Sequence, residues 1–307
     1  MAAARALLAP GAIVDVVAPG SRCADAALER GLAWLRGIGL TPRVPVGLFG
    51  ADLLSANSDE ARFEHLRRAF AARDARAIWC VRGGYGANRL LARFARLASP
   101  KVKKLFIGYS DATTLHFLIN HRWNWPSLHG PLIDRLGSED VSLEESAELT
   151  AVLTGTQTSI EYEGLIALNA AARRRQVLVS RMFGGNLTMM QTLLGTPWMQ
   201  RPRQILFLEE IGERGYRIDR TLQHLGSAGA LAGVRAIVFG TFTGGNEPDG
   251  SNLAVPVLER FAQSLRIPVL RGLAVGHGSH QRPLFFNTRA ELTCGPGARL
   301  NVERARL

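Results

Sequence analysis

Short apolar runs alternate with stretches of helical spacing through the first half of the chain. Residues 12–17 form a β-branched run that ends at Ala18, Pro19 and Gly20, and residues 24–36 then carry apolar positions at helical intervals. The alternation continues with strands at 42–46, 77–81 and 105–108. Helices are expected at 59–72, 88–97 and from 112 to 119, with Ser58 as the N-cap of the first. Strands that alternate with helices predict βαβ units and a parallel sheet, and such sheets bind ligands beyond the carboxyl ends of their strands.

The rhythm fails over residues 154–175, which are polar in patches and end in an arginine run. Beyond it come strands at 177–182, 205–208, 236–239, 284–286 and 290–294, with helices at 187–194 and 254–265. The fold class expected is α/β. An N-terminal open parallel sheet flanked by helices (residues 1–154) is followed by a linker (155–176). A smaller, more β-rich C-terminal α/β domain (177–307) completes the chain. No internal repeat or low-complexity segment interrupts this plan.

Composition changes the picture little. The 307 residues include 47% hydrophobic and 21% charged side chains, ordinary for a globular protein that needs no disulfide or metal to fold. A net charge of +11 invites a nucleic-acid reading, but all but three of the 37 basic residues are arginines scattered along the chain. That bias suits base composition better than a binding face. Cys23, Cys80 and Cys294 are odd in number and widely spaced, against both a disulfide framework and a zinc cluster. Residues 1–11 lack a signal-peptide h-region, and no apolar stretch reaches the ~18 residues of a membrane span, so a cytoplasmic location is expected.

The chemistry concentrates at glycine-rich turns. Gly108, Tyr109, Ser110 and Asp111 stand between a buried strand and a helix. In that setting a serine hydroxyl is exposed, and the next backbone N–H can face an oxyanion. Ala112 replaces the last glycine of G-x-S-x-G, and Ser110 or Asp111 reads equally as a helix cap. A serine nucleophile needs a base. Of seven histidines, His277 has glycines on both sides, His129 ends a strand, and His116 lies within the helix after Ser110. An orienting acid is available where the apolar strand at 205–208 ends in Glu209 and Glu210. Arg82, Gly83, Gly84, Tyr85 and Gly86 form one anion-cradling turn, and Gly184, Gly185 and Asn186 form another. A tight strand-to-helix turn explains each as well. Neither is a nucleotide loop, and no metal-ligand spacing is present.

In order, these pieces resemble the L,D-carboxypeptidase family, the muramoyl-tetrapeptide carboxypeptidases, over nearly the whole chain. The resemblance runs from Val17-Ala18-Pro19-Gly20-Ser21 through the glycine turn at 82–86, Gly108 to Asp111, and His129-Gly130-Pro131. It continues with Gly184 to Leu187, Gly195-Thr196-Pro197, Leu208-Glu209-Glu210, the segment 216–220, and Gly276-His277-Gly278. It implies a Ser110–His277–Glu209 triad spanning both domains, with an oxyanion hole of backbone N–H groups from Asp111 and Gly84. Glu210 stands where the family has aspartate. Leu284 to Asn287 stands where a Leu-Pro-x-Gly-like stretch is usual, a departure that bears on a loop beside the histidine.

Arg82, Tyr85 and His129 are the substrate-binding candidates. The implied reaction is release of terminal D-alanine from murein tetrapeptides without cofactor or metal. The expected partner is a small peptide or muropeptide, with neither nucleic acid nor membrane, and with a homodimer within the family's habit. Relatives that cleave peptide–nucleotide antibiotics give the alternative. They stack the base on aromatic residues, for which Trp123 and Trp125 are the nearest candidates, and core packing explains both more cheaply.

Overall fold

The computed structural model describes residues 6–94, 96–138, 140–199 and 203–307. The start of the N-terminal stretch, residues 1–5, lies outside them, as does residue 95 of the expected helix at 88–97. Contacts divide the chain into two compact units. The first holds residues 1–158, 282–285 and 304–307, and the second holds 159–281 and 286–303.

In the first unit the order is β1 (Ile13–Val17), α1 (Asp25–Gly37), β2 (Thr41–Arg43), α2 (Asp59–Ala71) and β3 (Ala75–Cys80). A 3-10 turn (Ala87–Leu90), α3 (Leu91–Phe94), β4 (Leu105–Gly108), α4 (Thr113–Arg122), β5 (Ser127–His129) and α5 (Leu143–Thr154) follow. β1 to β5 pair in parallel, as the alternation predicts. Helix boundaries follow local chemistry. Leu28, Leu32 and Leu35 recur at helical spacing on the buried face of α1. The Ser58 hydroxyl caps α2 by accepting from the Ala61 N–H at 3.3 Å. α5 opens on a capping box of Ser142 and Glu145 and closes on Gly155 at φ 91°. The strand expected at 42–46 instead runs from Thr41 to Arg43, because Pro45 removes a ladder donor and Val46 is fully exposed. The helix expected at 88–97 is two short turns.

The second unit comprises β6 (Ser159–Tyr162), β7 (Ile166–Ala167), α6 (Ala170–Arg173), β8 (Gln176–Asn186), α7 (Leu187–Gln191), β9 (Ile205–Ile211), α8 (Gly215–Ser227), β10 (Ala236–Thr243), α9 (Ala254–Gln263) and β11 (Val269–Arg271). β12 (Leu284–Phe286), β13 (Arg289–Cys294) and β14 (Arg299–Glu303) end the chain. The eight-stranded sheet runs β6-β14-β13-β8-β9-β10-β11-β7. Its centre, β8 to β11, is parallel, and the flanking pairs are antiparallel.

Two expectations change. The segment 155–176 is not a linker: β6 pairs with β14 and β7 with β11, so it supplies both edges of this sheet. Two-to-four-residue strands are too short to show a period, and their partners lie more than a hundred residues away. The chain also does not stay in the second unit after residue 177. β12 joins the six-stranded sheet, ordered β12-β5-β4-β3-β1-β2, beside β5.

Candidate active site

In the first unit, β4 delivers the chain at Gly108, and Tyr109 is extended at φ −155°. Ser110 then takes φ +62° and starts a 3-10 turn (Ser110–Ala112) that leads into α4. A left-handed non-glycine residue costs roughly 1–3 kcal/mol, and such strain gathers at functional turns. The turn is close-packed: a Cβ on Gly108 would lie 3.1 Å from both the Ala112 and Cys80 β-carbons. Ala112 therefore takes the place of the motif's last glycine without disturbing the bend.

The glycine turn after β3 is built onto this one. A Cβ on Gly83 would sit 2.7 Å from the Ser110 β-carbon and 2.9 Å from its Oγ. Only glycine lets the backbone come this close. Gly84 has φ +79°, and its missing side chain faces Ser21 instead. Ser21 ties the turn down: its N–H donates to the Gly83 carbonyl at 2.8 Å, and its hydroxyl accepts from the Tyr85 N–H at 3.1 Å. The Asp111 carboxylate accepts from the Ala87 N–H at 2.8 Å. Burial pushes that carboxyl up to about 6. The close approach of Gly83 was not legible in the sequence, where Gly84 was the favoured oxyanion partner.

Behind the serine, His116 is fully buried, with Nε2 2.8 Å from the Gly108 carbonyl and Nδ1 2.7 Å from the Ser127 hydroxyl. Asn120 donates to the same hydroxyl at 3.0 Å. Desolvation pushes the imidazole down to about 4, so His116 is a neutral strut under the turn. Arg82 is half exposed with Nε 3.9 Å from Asp134, whose carboxyl burial pushes up to about 6. Tyr85 is 41% exposed, whereas His129 is fully buried with its ring 5.5 Å from that of Tyr109. Burial leaves His129 no accessible surface of its own. Trp123 and Trp125 pack with Phe70 in the core, as the cheaper explanation required.

In the second unit, β9 ends with both carboxylates buried. Adjacent strand residues point to opposite faces, so the two serve different structures. Glu209 accepts from His277 Nδ1 at 2.6 Å and from the His277 N–H at 3.2 Å. Glu210 accepts from Asn186 Nδ2, the Thr188 N–H and hydroxyl, and the Ile211 N–H, at 2.7–2.9 Å. It thereby anchors the turn at 184–186, whose Asn186 also caps α7. Burial nonetheless raises its carboxyl above the usual range. Gly276, at φ +125°, admits the Glu209 side chain: a Cβ there would be 2.9 Å from Oε2 and 2.4 Å from Thr241 Oγ1. Thr243 donates to the His277 carbonyl at 3.2 Å. Glu209 thus fixes which nitrogen of His277 carries the proton, leaving Nε2 as the basic atom.

The family model of the LD-carboxypeptidase N-terminal domain matches residues 14–130, and that of the C-terminal domain matches residues 179–292. The chain belongs to the LD-carboxypeptidase family. It is 36% identical over 91% of its length to a Rickettsia conorii protein carrying a provisional carboxypeptidase name, covering 87% of that protein. It is 29% identical over 91% of its length to the murein tetrapeptide carboxypeptidase of Pseudomonas aeruginosa, covering 92% of it. Among solved structures, the muramoyltetrapeptide carboxypeptidase of Oxalobacter formigenes superposes with a TM-score of 0.81 at 29% identity, over 95% of this chain and all of that one. An MccF-like protein of Bacillus anthracis superposes with a TM-score of 0.83 over 98% of this chain and 99% of that one. At 20% identity it shares the fold alone. The family makes this chain a carboxypeptidase hydrolase. Among the described residues no helix is long and apolar enough to cross a membrane, and no group of side chains is arranged to hold a metal ion.

Proposed function

We propose that the protein is a serine-type L,D-carboxypeptidase that releases terminal D-alanine from murein tetrapeptides in the cytoplasm, with Ser110, His277 and Glu209 as its triad. The observation that carries this reading is the 2.6 Å contact between His277 Nδ1 and the buried Glu209 carboxylate. It is the orienting half of a base–acid pair with no other evident task. The strained, half-buried Ser110 supplies the other half.

In the proposed reaction, His277 Nε2 takes the proton of Ser110 as Oγ attacks the scissile carbonyl. Glu209 holds the imidazole and stabilises its cation. The tetrahedral oxyanion is met by the backbone N–H of Asp111 and that of Gly84, which Gly83 brings to the serine. Each such donor lowers the barrier by about 3 kcal/mol. The imidazolium then protonates the departing amine of D-alanine, and water releases the acyl group by the same steps in reverse. Arg82, half exposed beside the turn, is assigned to the substrate's terminal carboxylate, and Tyr85 to the wall of the site. His129 contributes indirectly, packing against Tyr109.

The test is release of free D-alanine from a murein tetrapeptide by wild type and by Ser110→Ala. Wild type is expected to release it, and the variant to fold normally with turnover reduced at least ~10³-fold. Turnover retained in the variant would remove the mechanism. Inactivity of wild type on the tetrapeptide, with cleavage of a peptidyl nucleotide instead, would replace the substrate class and leave the chemistry.

A further inference from the structure

The side chain of Asp111 has no part in the triad, yet it is buried in the serine turn, with Oδ1 left without a hydrogen-bond partner. It is 1% exposed, and its Oδ2 accepts from the Ala87 N–H at 2.8 Å. Gly20 presses on the same oxygen, because a Cβ there would lie 2.8 Å from it. That carboxylate therefore joins three segments: the serine turn that carries it, the loop after β1 at Gly20, and the far end of the glycine turn at Ala87. The near end of the glycine turn, Gly83, lies against Ser110. A strut between residue 111 and residue 87 thus holds both ends of the 83–87 turn in register with the serine hydroxyl.

We propose that the Asp111 carboxylate is a positioning residue that clamps the glycine turn onto Ser110. The role rests on Ser110 being the nucleophile of the proposed reaction. An ionised carboxylate accepts strongly from backbone N–H groups, whereas a protonated one offers a weaker acceptor and an extra donor. The charged group facing it from α2 is Arg62, which is buried and bonded to Asn57, Pro19 and Asp59. From β3 it is faced by the neutral Cys80 thiol. Neither is placed to neutralise Asp111 by direct contact, so desolvation prevails and the carboxyl takes up its proton near pH 6.

Asp111→Asn keeps the shape and an acceptor but removes the charge, and Asp111→Ala removes the strut. Amide hydrogen exchange at residues 86 and 87 reads the clamp without any activity. Exchange is expected to rise at least tenfold in Asp111→Ala. Labelling of Ser110 by a fluorophosphonate and D-alanine release read the consequence. The variant that isolates the charge is Asp111→Asn. In that variant kcat is expected to fall about tenfold with KM little changed. Unchanged exchange in Asp111→Ala overturns the clamp. Unchanged kcat in both Asp111→Asn and Asp111→Ala overturns its hold on Ser110. Failure of wild type to label or turn over, with the exchange change intact, would count against Ser110 as nucleophile and leave the clamp standing.

Discussion

Two neighbouring glutamates illustrate what decides a role at the scale of one residue. Glu209 and Glu210 are both buried, one residue apart, with the same functional group. Glu209 has one oxygen on His277, and its Oε1 is buried with no hydrogen-bond partner. Glu210 uses both oxygens to hold the 184–188 turn. Glu209→Gln should therefore reduce D-alanine release about 10³-fold or more, since an amide no longer fixes the imidazole's tautomer. Glu210→Gln should stay within about tenfold of wild-type turnover while losing roughly 1–3 kcal/mol of stability from a mispaired buried group. Steady-state kinetics and thermal melts on the two variants measure this ranking, and the reverse order would exchange the two assignments. The sequence placed both carboxylates at a strand end and took the first from a resemblance. The alternation of faces along β9 supplies the physical ground for that choice.

At the scale of elements, the strand–turn–helix around Ser110 is sustained by a buried polar layer. Asn120, Ser127 and His116 link α4 and β5 to the Gly108 carbonyl. Because burial moves His116 from 6.5 down to about 4, its neutral form stabilises the fold above the unfolded value. That contribution is lost as pH falls from about 6.5 through 4, amounting to roughly 3 kcal/mol. His121, lowered to about 4 by burial at the end of the same helix, acts in the same direction. Asp111 and Asp134 act oppositely: raised to about 6, they contribute stability below about 3.8 that is lost as pH rises through 6. Melting temperature is expected to drop more steeply between pH 6.5 and 4 in wild type than in His116→Gln. Parallel curves would show that His116 is not the titrating strut. Its position inside a helix was visible in the sequence. Its role was not, because both partners lie eight or more residues away on other elements.

Across the whole molecule, the returning C-terminal segment matters to the first unit. β12 lies beside β5, and Arg282 makes a two-point ion pair with Glu148 of α5 at 2.8 and 2.5 Å. Residues 1–158 expressed alone would leave β5 as an unpaired edge and Glu148 without that arginine. Such a fragment is expected to aggregate or to melt well below the full chain, as size-exclusion chromatography and circular dichroism would report. A monomeric fragment with native stability would show that the return is dispensable. By itself the sequence determined the α/β class, the parallel pairing of the first four strands, the carboxylates at the end of an apolar strand run, and the turns at Ser110 and His277. Those features depend on periodicity, capping and glycine within a few residues of one another. Tertiary structure decided that 155–176 supplies sheet edges and that 284–286 crosses back to the first sheet. It also decided that Gly83 meets the serine and that Glu209, and not Glu210, holds the histidine. Each of these is a contact between residues distant in the chain, and local pattern carries no record of which distant partner will fill a given space.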